Sequence, residues 1–358
     1  MKKLVLKTSI FILPFFLVFI IMEKFYTKDK GDLLRLGYII DIVNYDSKMI
    51  FKNDYLKKLN YSKLSETEFE FPEFYDFITI GDSFSDQNQI GYQNFMVSKS
   101  KLSVLDIDKN LTKNPIQDLH YLINAGFFDK HKTKYVILQN VEREFVERGI
   151  NINRTEDVTL NYIKNIFNVN NKNKNSDIEI ASVSKEPYFS NNFFSRDIIF
   201  FTAHNINYLH DDNAIVSQTY KVNTTKELFL NAKNNLLFFQ DDLKALTFNN
   251  NKELIHNLNG ELNFLSDKLA KLNIKLIVLP APDKYSVYYD YIVDKEKYEK
   301  PILFDYLNTL KRKYIYINSK MVIKEAIKNK KDVYFYDDTH WSPIASELIA
   351  SEILRICI

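Results

Sequence analysis

Apolar positions along the 358-residue chain fall into two patterns. Short, nearly continuous runs occur at residues 75–80 (YDFITI), 101–107 (KLSVLDI), 134–139 (KYVILQ), 275–279 (KLIVL) and 314–317 (YIYI). Runs of this length read as strands covered on both faces. Between them the spacing becomes helical. Leu254, Leu258, Leu262, Leu265, Leu269 and Leu272 recur at steps of three and four over residues 252–272 and form one apolar stripe, which means core packing. Asn114 and Pro115 open a helix through residue 123, with Pro115 suited to its first turn. Residues 303–310 and 343–356 are also helical, the latter a closing amphipathic helix. This alternation predicts an α/β fold with a central parallel sheet between helices.

Other stretches fit the alternation less well. Residues 26–70 form a stalk or lead-in with helical flavour in DLLRLGYIIDIV, and residues 71–358 form the domain. Residues 151–235 are a connection or an inserted segment, Asn-rich, whose run NVNNKNKNSD reads as a solvated loop. There are no internal repeats.

The N-terminus bears on location. Lys2, Lys3 and Lys7 precede residues 8–22 (TSIFILPFFLVFIIM), which carry no charge. Fifteen residues make a helix of about 22 Å, short of a hydrocarbon core of about 30 Å. Counting from Leu4 lengthens the span, because Lys7 can snorkel. A cleaved signal peptide and an uncleaved anchor both fit. The following EKFYTKDK lacks a small-x-small cleavage pattern, which favours an anchor over residues 1–25. The basic head stays cytoplasmic, so a single N-terminal transmembrane helix at residues 4–22 leaves the rest periplasmic or extracellular.

Composition removes several function classes. The 48 basic and 46 acidic residues are interspersed at a net charge of +2, so no basic surface suggests nucleic acid. Cys357 is the sole cysteine, which excludes an intramolecular disulfide, a Cys-based zinc site and a CxxC motif. His120, His131, His204, His210 and His256 form no ligand-spaced cluster, and His210-Asp211-Asp212 reads as a solvated turn. Neither metal nor cofactor is expected.

Two places carry chemistry. The run 75–80 ends in Gly81-Asp82-Ser83, a strand passing through a tight turn into a helix. That puts a hydroxyl at the carboxyl edge of a parallel sheet, where open α/β folds bind ligands, and a helix N-terminus there offers N–H groups to an oxyanion. Asp-Ser is equally a common helix cap. The second place is Asp337-Asp338-Thr339-His340-Trp341, after the apolar residues 334–336. A serine needs a base, and an imidazole serves when a carboxylate orients it. Asp338 and Asp337 are both close enough in sequence, and Trp341, the only Trp, is expected to be partly buried and to pin the loop.

A serine at the start of a domain with an Asp/His pair before its last helix resembles the SGNH (GDSL-type) hydrolase superfamily. Four stretches are similar to the SGNH-like domain of the alginate O-acetyltransferase family: GDSFSD (81–86), KYVILQNVERE (134–144), IKLIVLPAPDKYSVYYD (274–290) and VYFYDDTHWSPIASELIA (333–350). In that family the Asp-Thr-His-Trp half precedes the Gly-Asp-Ser half. Here the halves are exchanged, which restores the ordinary SGNH order. No Gly-x-Asn-Asp block is present.

The resemblance implies an SGNH-hydrolase-like three-layer sandwich with Ser83 as nucleophile, His340 as base and Asp338 as its partner. Asn140 is an oxyanion candidate, as the superfamily's asparagine is, or else a plain strand-ending turn. Arg143 lines the site or forms a structural ion pair with neighbours, and Lys284 guides an anionic substrate or lies at the surface. The resemblance further implies O-acetyl transfer to an exported or cell-surface polysaccharide, with acetyl groups supplied by a multi-pass membrane acyltransferase. The alternatives are an extracytoplasmic esterase or deacetylase using the same residues, and a non-catalytic, membrane-tethered subunit.

Overall fold

The computed structural model describes residues 1–25, 31–40, 51, 58–67, 74–108, 110–154, 157–168 and 196–357. Residues 169–177 of the NVNNKNKNSD run lie outside the described residues, as do 26–30, 41–50, 52–57 and 68–70 of the lead-in. Helix α1 spans Lys2–Phe25, with residues 2–18 exposed, and its Lys2–Met22 portion is long and apolar enough to cross a membrane.

A parallel six-stranded sheet forms the centre, in the order β1-β3-β2-β4-β7-β8. The strands are β1 (Ser62–Lys63), β2 (Phe74–Ile80), β3 (Val104–Ile107), β4 (Lys132–Val141), β7 (Lys275–Ala281) and β8 (Ile315–Tyr316). Separately, β5 (Thr219–Asn223) and β6 (Asn235–Phe239) pair antiparallel. Successive strand residues face opposite sides, and both sides are covered, so the apolar runs are continuous. Phe77, Ile137 and Ile277 enter one core, and Ile78, Val136 and Val278 enter the other. These two cores on opposite faces make three layers.

The helices used below are α2 (Asp32–Gly37), α3 (Tyr92–Ser100), α4 (Pro115–Asn124), α5 (Glu142–Ile150), α6 (Arg196–Asn207), α7 (Lys252–Ala270), α8 (Lys284–Tyr288), α9 (Leu303–Thr309), α10 (Ser319–Ile327) and α11 (Pro343–Cys357). Helices α3, α10 and α11 contribute to the first core, and α4, α5, α7 and α9 to the second. Asn114 caps α4 by accepting from Ile116 N and Gln117 N, with Pro115 at the first position. On α7, Leu258, Leu262, Leu265 and Leu269 are fully buried, but Leu272 is 40% exposed. The expected stripe is one residue too long: the helix stops at Ala270, and Asn273 turns the chain at φ 60° before Leu272 can reach the core.

Part of the stretch before residue 70 packs on the domain. Ser62–Lys63 pairs with β3 at the sheet edge. Leu33 and Leu34 of α2 are buried with Leu237 of β6, and Thr219 Oγ1 donates to Leu33 O at 2.8 Å. Among the described residues, 151–235 contribute a helix at Leu160–Asn168 as well as α6 and β5.

Sheet order determines where a crevice opens. The chain leaves β2 for β3 on one side, then returns past it to β4 on the other. The carboxyl end of β2 is therefore a switch point, where connections diverge and leave space for a ligand. Ser83 lies there.

Candidate active site

The turn after β2 is tied to the end of β4. Asp82 N–H donates to Gln139 Oε1 (3.0 Å), which also accepts from Ser85 Oγ (3.0 Å). The Asp82 carboxylate accepts from Phe84 N (3.2 Å), Val141 N (2.6 Å) and Arg148 Nη1 (2.9 Å). Gly81 is required by close approach. A Cβ there would fall inside contact distance of Ser85 Oγ and lie 2.5 Å from Gln139 Oε1. Gly81→Ala should thus destabilise the fold by about 1–3 kcal/mol through overpacking, seen as a lower urea midpoint with an unchanged slope.

One expectation fails at this turn. No helix begins at Ser83; the chain makes tight turns through residue 86, and α3 starts only at Tyr92. The Asp82 side chain accepts the Phe84 N–H, an Asx-type turn that competes with helix initiation. A helix dipole is therefore absent from the Ser83 turn. What remains is the Ser83 N–H, which meets no acceptor among the described residues.

His340 approaches on a loop. The apolar residues before it form no strand, only an isolated bridge between Tyr334 and Trp341, because the chain turns back on itself within seven residues. Ser83 Oγ lies 2.8 Å from His340 Nε2, and His340 Nδ1 lies 2.6 Å from Asp338 Oδ1. Asp338, not Asp337, meets the imidazole; it also accepts the His340 N–H at 3.0 Å. Burial would raise the Asp338 carboxyl, but the hydrogen bond and charge of His340 outweigh it and hold the pKa at about 2. An ionised carboxylate on Nδ1 fixes the proton there and leaves Nε2 as the acceptor for the serine hydroxyl. The arrangement can abstract that proton and return it.

The loop is held from several sides. Trp341 is fully buried, and its Nε1 donates to Gln87 Oε1 (2.7 Å) while Gln87 Nε2 donates to Trp341 O (3.0 Å). Phe84 packs on both the His340 ring (4.7 Å) and the Trp341 ring (4.9 Å). Lys284 does not lie at the surface. It is 1% exposed and donates to the carbonyls of Phe335 (2.9 Å), Tyr336 (2.8 Å) and Asp338 (3.1 Å). Burial pushes its pKa down to about 7, yet three acceptors use all three ammonium hydrogens, so the bound form is the cation. The backbone of Asp337 accepts from Leu33 N (2.9 Å), joining α2 to the same loop.

Residues 230–356 match the family model described as SGNH hydrolase-like domain, acetyltransferase AlgX. The matched stretch is roughly a third of the chain. It holds β7, β8, Lys284, Asp338 and His340, and supports acetyltransferase- or esterase-type chemistry for this SGNH-like domain. Ser83, Asn140 and Arg143 lie outside it. No curated protein and no solved structure matches the chain.

The remaining candidates separate in space. Asn140 is fully buried; its Oδ1 accepts from Arg148 Nη1 (3.2 Å), the cation that also holds Asp82 beside Ser83. A guanidinium only donates, so the Asn140 oxygen faces it and the amide nitrogen faces elsewhere, with no acceptor among the described residues. Arg143 instead pairs with Asp283 (2.8 Å) and Asp242 (3.6 Å) and packs on Phe239. Sequence reasoning missed Arg148 and Gln87. Arg148 sits in the last turn of α5, where a basic residue is ordinary, and Gln87 finds Trp341 only through the fold. Among the described residues no group of His, Cys, Asp and Glu could hold a metal ion.

Proposed function

We propose that the protein is an O-acetyltransferase that modifies an exported or cell-surface polysaccharide through an acetyl-Ser83 intermediate. The observation that carries this reading is the unbroken chain from Ser83 Oγ through His340 to Asp338. The family match to an acetyltransferase domain supports the choice of acyl group.

His340 Nε2 takes the hydroxyl proton as Ser83 Oγ bonds to the acetyl carbonyl carbon. The carbonyl electrons move onto its oxygen, which the free Ser83 N–H stabilises. The intermediate collapses, and the leaving group departs with the proton from His340. A sugar hydroxyl then gives its proton to His340 and attacks acetyl-Ser83; collapse releases the acetylated sugar, and Ser83 recovers the proton. In this reading residues 4–22 anchor the protein with the domain outside the cytoplasm, and a multi-pass membrane acyltransferase delivers the acetyl group. Exposure of Ser83 favours hydrolysis as the second reading, because water reaches the same acyl-enzyme.

The test is intact-mass spectrometry of the detergent-solubilised full chain after incubation with p-nitrophenyl acetate. One added acetyl group in wild type and none in Ser83→Ala is expected. Subsequent loss of that group to a glycan rather than to water separates transferase from esterase. No adduct and no nitrophenol release would favour the non-catalytic subunit.

A further inference from the structure

Beside the reactive turn, the carboxyl edge of the sheet carries a second feature. A cleft of about 410 Å³ opens beyond β7 and β8, between α8, α9 and α10. Three strand spacings separate β8 from β2, which places the cleft on the order of 15 Å along the edge from Ser83.

Lys320, in the first turn of α10, lines the cleft and is only 7% exposed. Among the described residues no hydrogen-bond acceptor meets its ammonium and no carboxylate pairs with it; its charge is felt from a distance by Glu142 and Asp305. Its ammonium lies over the Phe304 ring (5.7 Å) but is less well compensated than that of Lys284, which has three carbonyls. The other charges of the cleft sort into pairs. Lys324 binds Asp290 and Lys328 binds Glu325, which leaves Lys320 and exposed Lys300 against the single carboxylate of Asp305. Asn318 caps α10 by accepting from Met321 N (3.1 Å), and the positive end of the helix dipole adds potential at the same place. The walls also offer the rings of Tyr289 and Phe304 and the side chain of Asn308, a mixture of apolar faces and hydrogen-bonding groups suited to a pyranose.

We propose that this cleft binds a sugar unit bearing one carboxylate or phosphate group, with Lys320 at its floor and Lys300 at its rim as the anion's partners. The inference rests on the acetyl-transfer reading in one respect: it makes the bound sugar part of the acceptor, held along the sheet edge while a neighbouring hydroxyl reaches Ser83.

Calorimetric titration of the detergent-solubilised full chain with glucuronate, glucose 6-phosphate and glucose tests it. Either anionic sugar should bind and glucose should bind at least about tenfold more weakly, given the strength of hydrogen bonds to charged groups. Glucuronate alone would identify the carboxylate source and glucose 6-phosphate alone the phosphate source. Lys320→Met should weaken binding by about tenfold or more. Should that variant fail to fold, Lys300→Glu, an exposed charge reversal, decides in its place, and unchanged affinity there overturns the proposal. Failure of both anions to bind, equal binding of glucose, or undiminished binding by folded Lys320→Met also overturns it. Ser83→Ala should bind with wild-type affinity, so loss of the cleft's ligand and loss of acetyl-Ser83 are read separately.

Discussion

Ser83→Ala and His340→Ala should each lower kcat for p-nitrophenyl acetate on the order of 10⁶-fold, and the double variant should be no worse than either. The reason is geometric. Ser83 Oγ and His340 Nε2 share one proton across 2.8 Å, so removing either removes the same step. Without the imidazole the hydroxyl is a weak nucleophile, and without the hydroxyl the imidazole has nothing to deprotonate. Residual turnover in all three variants should be equal, set by binding and by the free Ser83 N–H. Steady-state kinetics on the purified full chain measures this. Additive losses, or a single variant retaining more than a few per cent of wild-type kcat, would mean that the two residues do not act as a unit. Ser83 is exposed and His340 packs on Phe84 through one ring face, so neither truncation should unfold the protein, and matched thermal midpoints would verify that.

How much of this was legible in the chain depended on the length scale of the interaction. The strands were readable because burial on both faces demands continuous apolar residues, a local signal that Phe74–Ile80, Lys132–Val141 and Lys275–Ala281 all carry. The pairing of Ser83 with His340 was readable only through resemblance, since 257 residues separate them in sequence. The helix expected after Ser83 failed because the Asp82 carboxylate, which could have capped it, is taken up by Val141 N, Phe84 N and Arg148. Lys284 was misread for a related reason. A lysine's default is the surface, and three backbone carbonyls that override this default come from a loop some fifty residues away. Arg143 and Arg148 show the limit most plainly. Both lie on α5 within six residues, yet one joins Asp242 and Asp283 while the other reaches Asp82 and Asn140. Only the position of α5 against β2 and β4 decides which arginine supports the nucleophile turn.

The two halves of the site depend on each other. Gln87, four residues past the serine, hydrogen-bonds Trp341 through both its amide atoms, and Phe84 fills the space under the His340 and Trp341 rings. The acid–base loop thus takes its shape from the nucleophile half and from Lys284 on α8. The family match ends short of the nucleophile half, but the packing makes one unit of both. An exchange in the order of the halves leaves these contacts intact, because none of them depends on chain connectivity.

Asp338→Asn is expected to lower kcat on the order of 10⁴-fold, whereas Asp337→Asn should change it by less than about tenfold. Asparagine keeps the shape of the side chain but can present its NH₂ to His340 Nδ1. The ring proton then moves to Nε2, which cannot accept from Ser83. Asp337 makes no contact of this kind with the imidazole; its backbone carbonyl holds Leu33 instead. The two variants should also differ in their stability against pH. The Asp338 pKa falls from 3.8 to about 2 on folding, so the unfolded chain binds the proton more tightly. The stabilisation is therefore fully present above about pH 4 and is lost as pH falls through about 2. Asparagine does not titrate, so the gap in thermal midpoint between wild type and Asp338→Asn should be widest near pH 5 and narrow toward pH 2. A gap that stays constant across that range, or equal kinetic damage from both asparagine variants, would remove Asp338 from its position as the partner of His340.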